Sequence, residues 1–223
     1  MLILRMKIPA LLLITSLMLI QCSKEKNTPS LDQARRDSDS IGMESQSRKA
    51  PKPLDEWLSY YSKEGASFAL EDFRMLSKDS LQLLPTGSSA LYEPEFDSLY
   101  ASTLIYNSSG TSYLDIDSYL WRIARDSSLS FEADQEVVLV DTAEKTKHRL
   151  AYFGPSYRIE EAYFEKDSVV MLLGNSYENV PFYLRISLKD KTSIYYQLPD
   201  TLEVKSNYLE QRLKRKGIKF KTP

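Results

Sequence analysis

The sequence predicts a mainly β fold. We expect an antiparallel meander of two four-stranded, blade-like units, arranged like propeller blades or as a sandwich, with a short helix at each end of the domain. Two observations support this prediction. From Tyr100 onward, apolar and polar residues alternate in short runs that polar turn residues separate at regular intervals. Tyrosine is also abundant (15) and glycine scarce (7), and aromatic rings suit a pleated, half-buried surface.

The N-terminal helix of the domain is predicted over Leu54–Ser62. Its apolar residues recur at helical spacing, and Pro53 stands just ahead of them, where proline favours the start of a helix. From Phe68 onward the apolar residues fit neither the helical nor the strand period well. Only Ser80–Leu84 has the character of a short strand, closed by the turn that begins at Pro85.

Two groups of four strands follow, and the turns within them correspond. Lys145-Thr146 and Lys191-Thr192 occupy equivalent turn positions, at a spacing close to the length of a four-stranded propeller blade. The predicted strands of the first unit are Leu104–Tyr106, Ser112–Tyr119, Glu136–Asp141 and Thr146–Phe153. Those of the second unit are Glu161–Phe164, Ser168–Leu173, Phe182–Leu188 and Thr192–Leu198.

The first unit resembles a blade of the TolB-like propeller repeats. The likeness lies in the turn Ser108-Ser109-Gly110-Thr111 leading into a strand, and in Val137–Asp141 leading into a Lys-Thr turn. That family has Ser-Pro-Asp-Gly where a single serine replaces Pro-Asp here, and the second unit lacks the turn motif. The resemblance covers about Tyr100–Leu198 and implies four-stranded antiparallel blades. Two units are too few to close a ring of the usual 4–8 blades, so an open meander or two packed sheets stays an alternative.

The C-terminal helix is predicted over Tyr208–Lys216. Asn207 and Glu210 have the spacing of a capping box, and Gly217 followed by Ile218 has the pattern of a Schellman ending in which Ile218 packs on Leu213. Ile218–Phe220 is a possible edge strand. The basic residues from Lys205 to the C-terminus are interpreted as a solvated helix face.

The first 21 residues have the form of a secretion signal. Arg5 and Lys7 provide a positive start, and the apolar run Ile8–Ile20 is too short to span a bilayer comfortably. The stretch Leu19-Ile20-Gln21-Cys22 contains the only cysteine of the chain and resembles the lipobox of bacterial lipoproteins, including those of the Bacteroidetes. The residue before the cysteine departs from that pattern, because Gln21 stands where Gly, Ala or Ser is usual. The resemblance implies cleavage before Cys22 and attachment of lipid to its thiol.

Three segments follow from this interpretation. Residues 1–21 are the lipoprotein signal peptide, residues 22–53 a disordered tether and residues 54–223 the β-rich domain. The tether is rich in serine and charge and has no aromatic residue, so it cannot bury enough apolar surface to offset its ordering entropy. We therefore expect a protein of the cell envelope, anchored by lipid on Cys22 to a bacterial membrane, in particular the outer membrane.

The expected role is that of a binding or structural module whose partner is another envelope protein or a glycan. The formal net charge of −2 does not suit a nucleic-acid partner, which would favour a strong basic excess. The only histidine, His148, is interpreted as solvated. With one histidine and one lipidated cysteine, the chain lacks the residues for the common catalytic triads and for the common zinc sites. No cofactor or metal is expected.

The possible ligand surface consists of Asp115, Asp117, Tyr119 and Trp121. On a strand, Asp115 and Asp117 would point to one face with a separation of about 7 Å, which could suit acid–base work on a sugar. The alternative function is therefore a glycan-directed hydrolase using these two carboxylates. The simpler interpretation places both carboxylates on an exposed strand face, with the aromatic residues in cross-strand packing.

Overall fold

Eleven strands in three antiparallel sheets dominate residues 52–221, the part of the chain that the computed structural model describes. The predicted mainly β, antiparallel fold with a helix at each end is confirmed. Residues 1–51, which include the predicted signal peptide, Cys22 and almost all of the tether, lie outside the described residues. The strands are β1 (Arg74–Ser80), β2 (Ile105–Tyr106), β3 (Ser112–Asp115), β4 (Trp121–Ile123), β5 (Leu129–Phe131), β6 (Gln135–Asp141), β7 (Thr146–Phe153), β8 (Tyr157–Lys166), β9 (Val169–Ser176), β10 (Pro181–Ser187) and β11 (Thr192–Gln197).

The two predicted units each form one sheet. The first is a four-stranded sheet in the order β2-β3-β6-β7, and the second is the meander β8-β9-β10-β11, to which β1 adds a fifth strand beside β11. The turns between β6 and β7 and between β10 and β11 are alike, because Lys145 and Lys191 have φ angles of 51° and 50°. The two turns, predicted to be equivalent from their Lys-Thr pairs, therefore share the same left-handed lysine conformation.

The two large sheets pack face to face around a shared apolar core. Leu114, Val137 and Leu150 from the first sheet meet Ile159, Leu172 and Phe182 from the second. The other face of the first sheet is covered by the segment between β1 and β2, which contributes Ala90 and Leu104. This arrangement is of the sandwich type, since each strand alternates residues between an inner and an outer face.

Helix α1 (Lys52–Lys63) covers the outer face of the five-stranded sheet. It begins two residues before the predicted start, and Pro53 lies in its first turn, where the missing N–H costs no hydrogen bond. Trp57 and Tyr61 are fully buried beneath it and pack edge-on with ring centroids 5.3 Å apart. Aromatic edge-to-face pairs of this kind add about 0.5–1.5 kcal/mol beyond the burial of their area.

Helix α2 (Tyr208–Arg215) packs against the β4–β5 hairpin through Leu209 and Leu213. Its Schellman ending is confirmed: Ile218 N donates to Leu213 O at 3.0 Å, and both side chains belong to the same buried cluster. The predicted capping box is wrong, because Asn207 makes no side-chain cap. Its Oδ1 instead accepts from Tyr60 and from Gln211, which lies one turn into the helix.

Three strand predictions need correction. Ile218–Phe220 is not a strand, although Lys221 forms an isolated bridge to Ser128. Ser80–Leu84 is displaced, since β1 ends at Ser80 and Leu84 makes only an isolated bridge to Arg149. The predicted strand to Tyr119 ends at Asp115, because the Asp115 carboxylate accepts hydrogen bonds from the backbone amides of Asp117 and Ser118 and thereby turns the chain.

Gly174 in β9 has no room for a side chain. A Cβ atom there would clash with the backbone carbonyl of Arg158 and lie 2.6 Å from Cζ of Phe182, whose ring covers the glycine.

We expect Gly174→Ala to lower the free energy of unfolding by about 2–3 kcal/mol, because neither neighbour can move without disturbing a strand. Urea denaturation would measure this loss against Gly87→Ala, where nothing lies within 4 Å. Equal stabilities of the two variants would contradict the prediction.

Candidate functional site

The four residues predicted from the sequence do not form one open surface. Asp115 and Asp117 are 4% and 1% exposed, Trp121 is fully buried, and Tyr119 alone reaches the surface. Tyr119 packs edge-on against Tyr152 at 6.2 Å, apart from the buried three. The expectation of an exposed strand face is therefore wrong, because Asp115 at the end of β3 and Asp117 in the turn after it are both buried.

Each buried carboxylate has a structural partner. Asp115 accepts from the backbone N–H groups of Asp117 and Ser118, both at 2.9 Å, as in an Asx-type turn. Asp117 accepts from Trp121 Nε1 at 2.8 Å and pairs with the buried guanidinium of Arg212 on α2. Burial raises the pKa of Asp115 above its usual range, and these backbone bonds oppose that shift. This geometry favours an architectural role for both carboxylates over acid–base work on a substrate.

The only histidine lies two strands across the sheet from Leu114, the residue before Asp115. His148 is half-buried on β7, opposite Leu139 of β6. Among residues 52–221, no cluster of three or more histidine, cysteine or acidic side chains is arranged to hold a metal ion. No helix in this described part of the chain has the length and hydropathy needed to cross a membrane.

A polar cleft of about 440 Å³ lies where β8 and β9 meet the segment leading into α2. Its volume falls within the range of small-molecule sites, about 300–1,000 Å³. We name it the Glu160 cleft after the buried carboxylate at its floor. Asn175 shares the floor, and the other polar side chains that line the cleft include those of Arg158, Lys205, Ser206 and Glu210.

Glu160 is held in one orientation by three donors. Its Oε2 accepts from Trp57 Nε1 and from the Tyr61 hydroxyl, both at 2.8 Å, and its Oε1 accepts from the Ser206 hydroxyl. Burial and the neighbouring Glu160 raise the pKa of Tyr61, so its hydroxyl stays protonated and donates to the carboxylate. The carboxylate is thus preorganised by donors from two separate segments of the chain, α1 and the segment that leads into α2.

A β-bulge places Glu160 on the helix-covered face of the sheet. The pairing of β8 with β9 shifts between Ile159 and Glu161, which leaves Glu160 as the extra residue. Because of this insertion, two consecutive glutamates point to the same side, Glu160 to α1 and Glu161 to the hydroxyl of Tyr208 on α2. Regular alternation would have sent one of them into the apolar core between the sheets.

Asn175 carries an unused acceptor at the floor of the cleft. Its Nδ2 donates to the Tyr61 hydroxyl at 3.1 Å, whereas its Oδ1 is buried without any hydrogen-bond partner in the described part of the chain. A buried carbonyl oxygen without a donor costs about 1–3 kcal/mol, so such groups in native proteins call for a specific reason. A bound donor from a ligand or from water would satisfy this oxygen.

The ionisable groups of the cleft balance in charge. Arg158 and Lys205 oppose Glu160 and Glu210. Burial raises the pKa of Glu160, and its three hydrogen bonds oppose that shift. Burial also lowers the pKa of Arg158, with Glu210 and Glu160 acting in the opposite direction. The cleft therefore presents donors and acceptors side by side without a dominant charge.

Aromatic residues also line the cleft. Phe131 lies beneath the Arg158 guanidinium at 5.3 Å. Tyr157 is 42% exposed, and its ring packs edge-on at 5.5 Å against Phe182 of the core between the sheets, on the sheet face opposite Glu160. Tyr177 is 82% exposed, although its backbone is held by a hydrogen bond of 2.8 Å to Ser156 O. An anchored backbone that carries a free ring is suited to contact with a ligand.

Comparison with known proteins does not assign the chain to a family. No family model matches the chain, and no curated protein or solved structure is similar to it. The resemblance to TolB-like repeats therefore stays a prediction.

Sequence reasoning did not find the Glu160 cleft. One signal was present, because Glu160 and Glu161 interrupt a strand that is otherwise apolar from Ile159 to Phe164, and adjacent acids in such a strand indicate a bulge. The contributions of Trp57, Asn175 and Ser206 had no local signal. They come from positions up to 149 residues apart that only the folded chain brings together.

Proposed function

We propose that this protein is a binding module of the bacterial cell envelope, anchored to the outer membrane by lipid on Cys22. The observation that best supports binding is the Glu160 cleft, where a carboxylate preoriented by three donors lies beside a buried amide oxygen without a partner. Rigid, correctly oriented polar groups at the base of a concave site reduce the entropy cost of binding.

The anchoring part of the proposal rests on the sequence. The apolar run Ile8–Ile20 leads directly to Cys22, and the polar segment after it would act as a flexible tether. Acyl chains on the cysteine would hold the domain at the membrane surface, with each buried methylene contributing about 0.8 kcal/mol. The folded domain would then meet ligands at the membrane surface.

Acyl labelling tests the anchor. In a bacterial host supplied with an alkyne fatty acid, the wild-type chain should take up label and its intact mass should lack residues 1–21. Cys22→Ala should lose the label, because the only thiol is gone. Ser23→Ala, next to the proposed cleavage site, should keep it. Labelling of Cys22→Ala at the wild-type level, or a mature wild-type chain that retains its leader, would refute lipid anchoring.

A further inference from the structure

We propose that the Glu160 cleft binds a neutral saccharide. This inference rests on the binding function proposed above and names the ligand class of the same site. The first step is charge. Two acids, Glu160 and Glu210, and two bases, Arg158 and Lys205, line the cleft, so neither a strongly cationic nor a strongly anionic ligand gains from it.

The second step is hydrogen bonding at the floor. Asn175 Oδ1 is a buried acceptor without a donor, and Glu160 Oε1 accepts only one of the bonds that a carboxylate oxygen can take. A ligand must therefore present donors to the floor. An ammonium group would fit less well than a hydroxyl group, because the Arg158 guanidinium near Glu160 repels a second cation.

The third step concerns the rim. Arg158 and Lys205 are donors only, so the same ligand must also accept hydrogen bonds. A hydroxyl group does both, and a sugar presents several hydroxyl groups at short intervals. Asn, Glu and Arg side chains are planar and hold fixed donor or acceptor geometry, which suits neighbouring hydroxyl groups of one ring.

The fourth step is an exposed aromatic ring. Tyr177 lines the cleft and projects its ring into solvent from an anchored backbone. The face of a tyrosine ring covers apolar surface at a low cost in conformational entropy. A pyranose has apolar C–H faces as well as polar edges. It can therefore lie against the Tyr177 ring while its hydroxyl groups reach Asn175 and Glu160.

Calorimetric titration of the full chain in detergent tests this proposal. N,N′,N″-Triacetylchitotriose and maltotriose are the neutral saccharide probes, and trialanine and spermidine are the probes with ammonium groups. We expect saturable binding of at least one trisaccharide, weakened at least tenfold by Asn175→Leu and by Tyr177→Ala. Tyr177→Ala removes an exposed ring and should leave the fold unchanged, so it carries the test if Asn175→Leu does not fold. Tyr92→Ala, an exposed tyrosine outside the cleft, should bind like the wild type.

The outcomes separate the two proposals. If neither trisaccharide binds, or if both cleft variants bind as the wild type does, the saccharide inference is wrong. If trialanine or spermidine binds instead and Tyr177→Ala weakens that binding, the cleft is a binding site for another ligand class and the proposed function stands. If no probe binds, the binding function loses its support as well, whereas lipid anchoring is judged separately at Cys22.

Discussion

Replacing Arg212 with methionine should lower the free energy of unfolding by about 3–5 kcal/mol, because Asp117 would remain buried without its cation. The two side chains are 1% and 0% exposed, so water cannot take over the role of the guanidinium. Arg212 also faces Glu161. Burial opposes its charge, but Asp117 and Glu161 together raise its pKa above the ordinary value. One cation therefore serves two buried acids, and its loss affects both.

A double substitution distinguishes the stability lost with the Arg212–Asp117 ion pair from the stability lost with the packing of the Arg212 side chain. Asp117→Asn keeps an acceptor for Trp121 Nε1 and removes the charge that Arg212→Met leaves uncompensated. In urea denaturation the double variant should therefore recover the part of the lost stability that comes from the uncompensated charge of Asp117, whereas the part that comes from Glu161 should persist. Lys216→Met, an exposed change beside α2, should stay within about 0.5 kcal/mol of the wild type. An Arg212→Met variant as stable as Lys216→Met would show that the pair contributes nothing.

Glu160→Leu should destabilise the fold by about 3 kcal/mol, whereas Glu160→Gln should cost less than about 1 kcal/mol. Leucine leaves the N–H of Trp57 and the hydroxyl of Tyr61 buried without their acceptor. Glutamine keeps an acceptor for both groups and can donate to the Ser206 hydroxyl instead. Chemical denaturation of both variants at neutral pH measures the difference. Equal losses would mean that the volume of the side chain matters and its hydrogen bonds do not.

The same pair of proteins gives a pH dependence with a definite sign. Burial raises the pKa of Glu160 in the folded state, so the folded chain binds a proton at a pH where the unfolded chain has already released it. Relative to Glu160→Gln, the wild type should gain stability as the pH falls from neutral toward the unfolded pKa of about 4.3, and lose that gain as the pH rises through the folded pKa.

Comparing the wild type with Glu160→Gln removes the contribution of the other acids to the pH dependence of stability. Asp115 and Glu161 also have raised pKa values, but they are present in both proteins. Glu203→Gln, an exposed acid outside the cleft, should show the pH dependence of the wild type. A constant difference between wild type and Glu160→Gln across this pH range would contradict the assignment.

Local patterns were sufficient to predict the two blade-like units. Each predicted strand from Leu104–Tyr106 to Thr192–Leu198 overlaps an observed one, because apolar alternation and turn residues act over a few positions. The two Lys-Thr turns share a left-handed lysine for the same local reason. The Schellman ending at Gly217 also depends only on neighbours, since its φ of 84° suits glycine.

Strands without alternation could not be predicted. Six of the seven residues of β1 are exposed, including Met75 and Leu76, so its sequence shows no alternation of buried apolar and exposed polar residues. Its position is set by pairing with β11 across more than 100 residues of chain. The short hairpin β4–β5 has the same difficulty, because three-residue strands are too brief to display a period.

The sequence by itself determined the strand units, their turns and the terminal helices. These features depend on spacing between neighbours, which the chain displays directly. Only the tertiary structure decided that Asp117 and Arg212 are buried partners, and that Glu160 and Asn175 form the floor of a cleft. Whether a charged side chain is solvated or buried depends on the partners that distant segments supply. A bulge of one residue in β8 was enough to bring Glu160 to them.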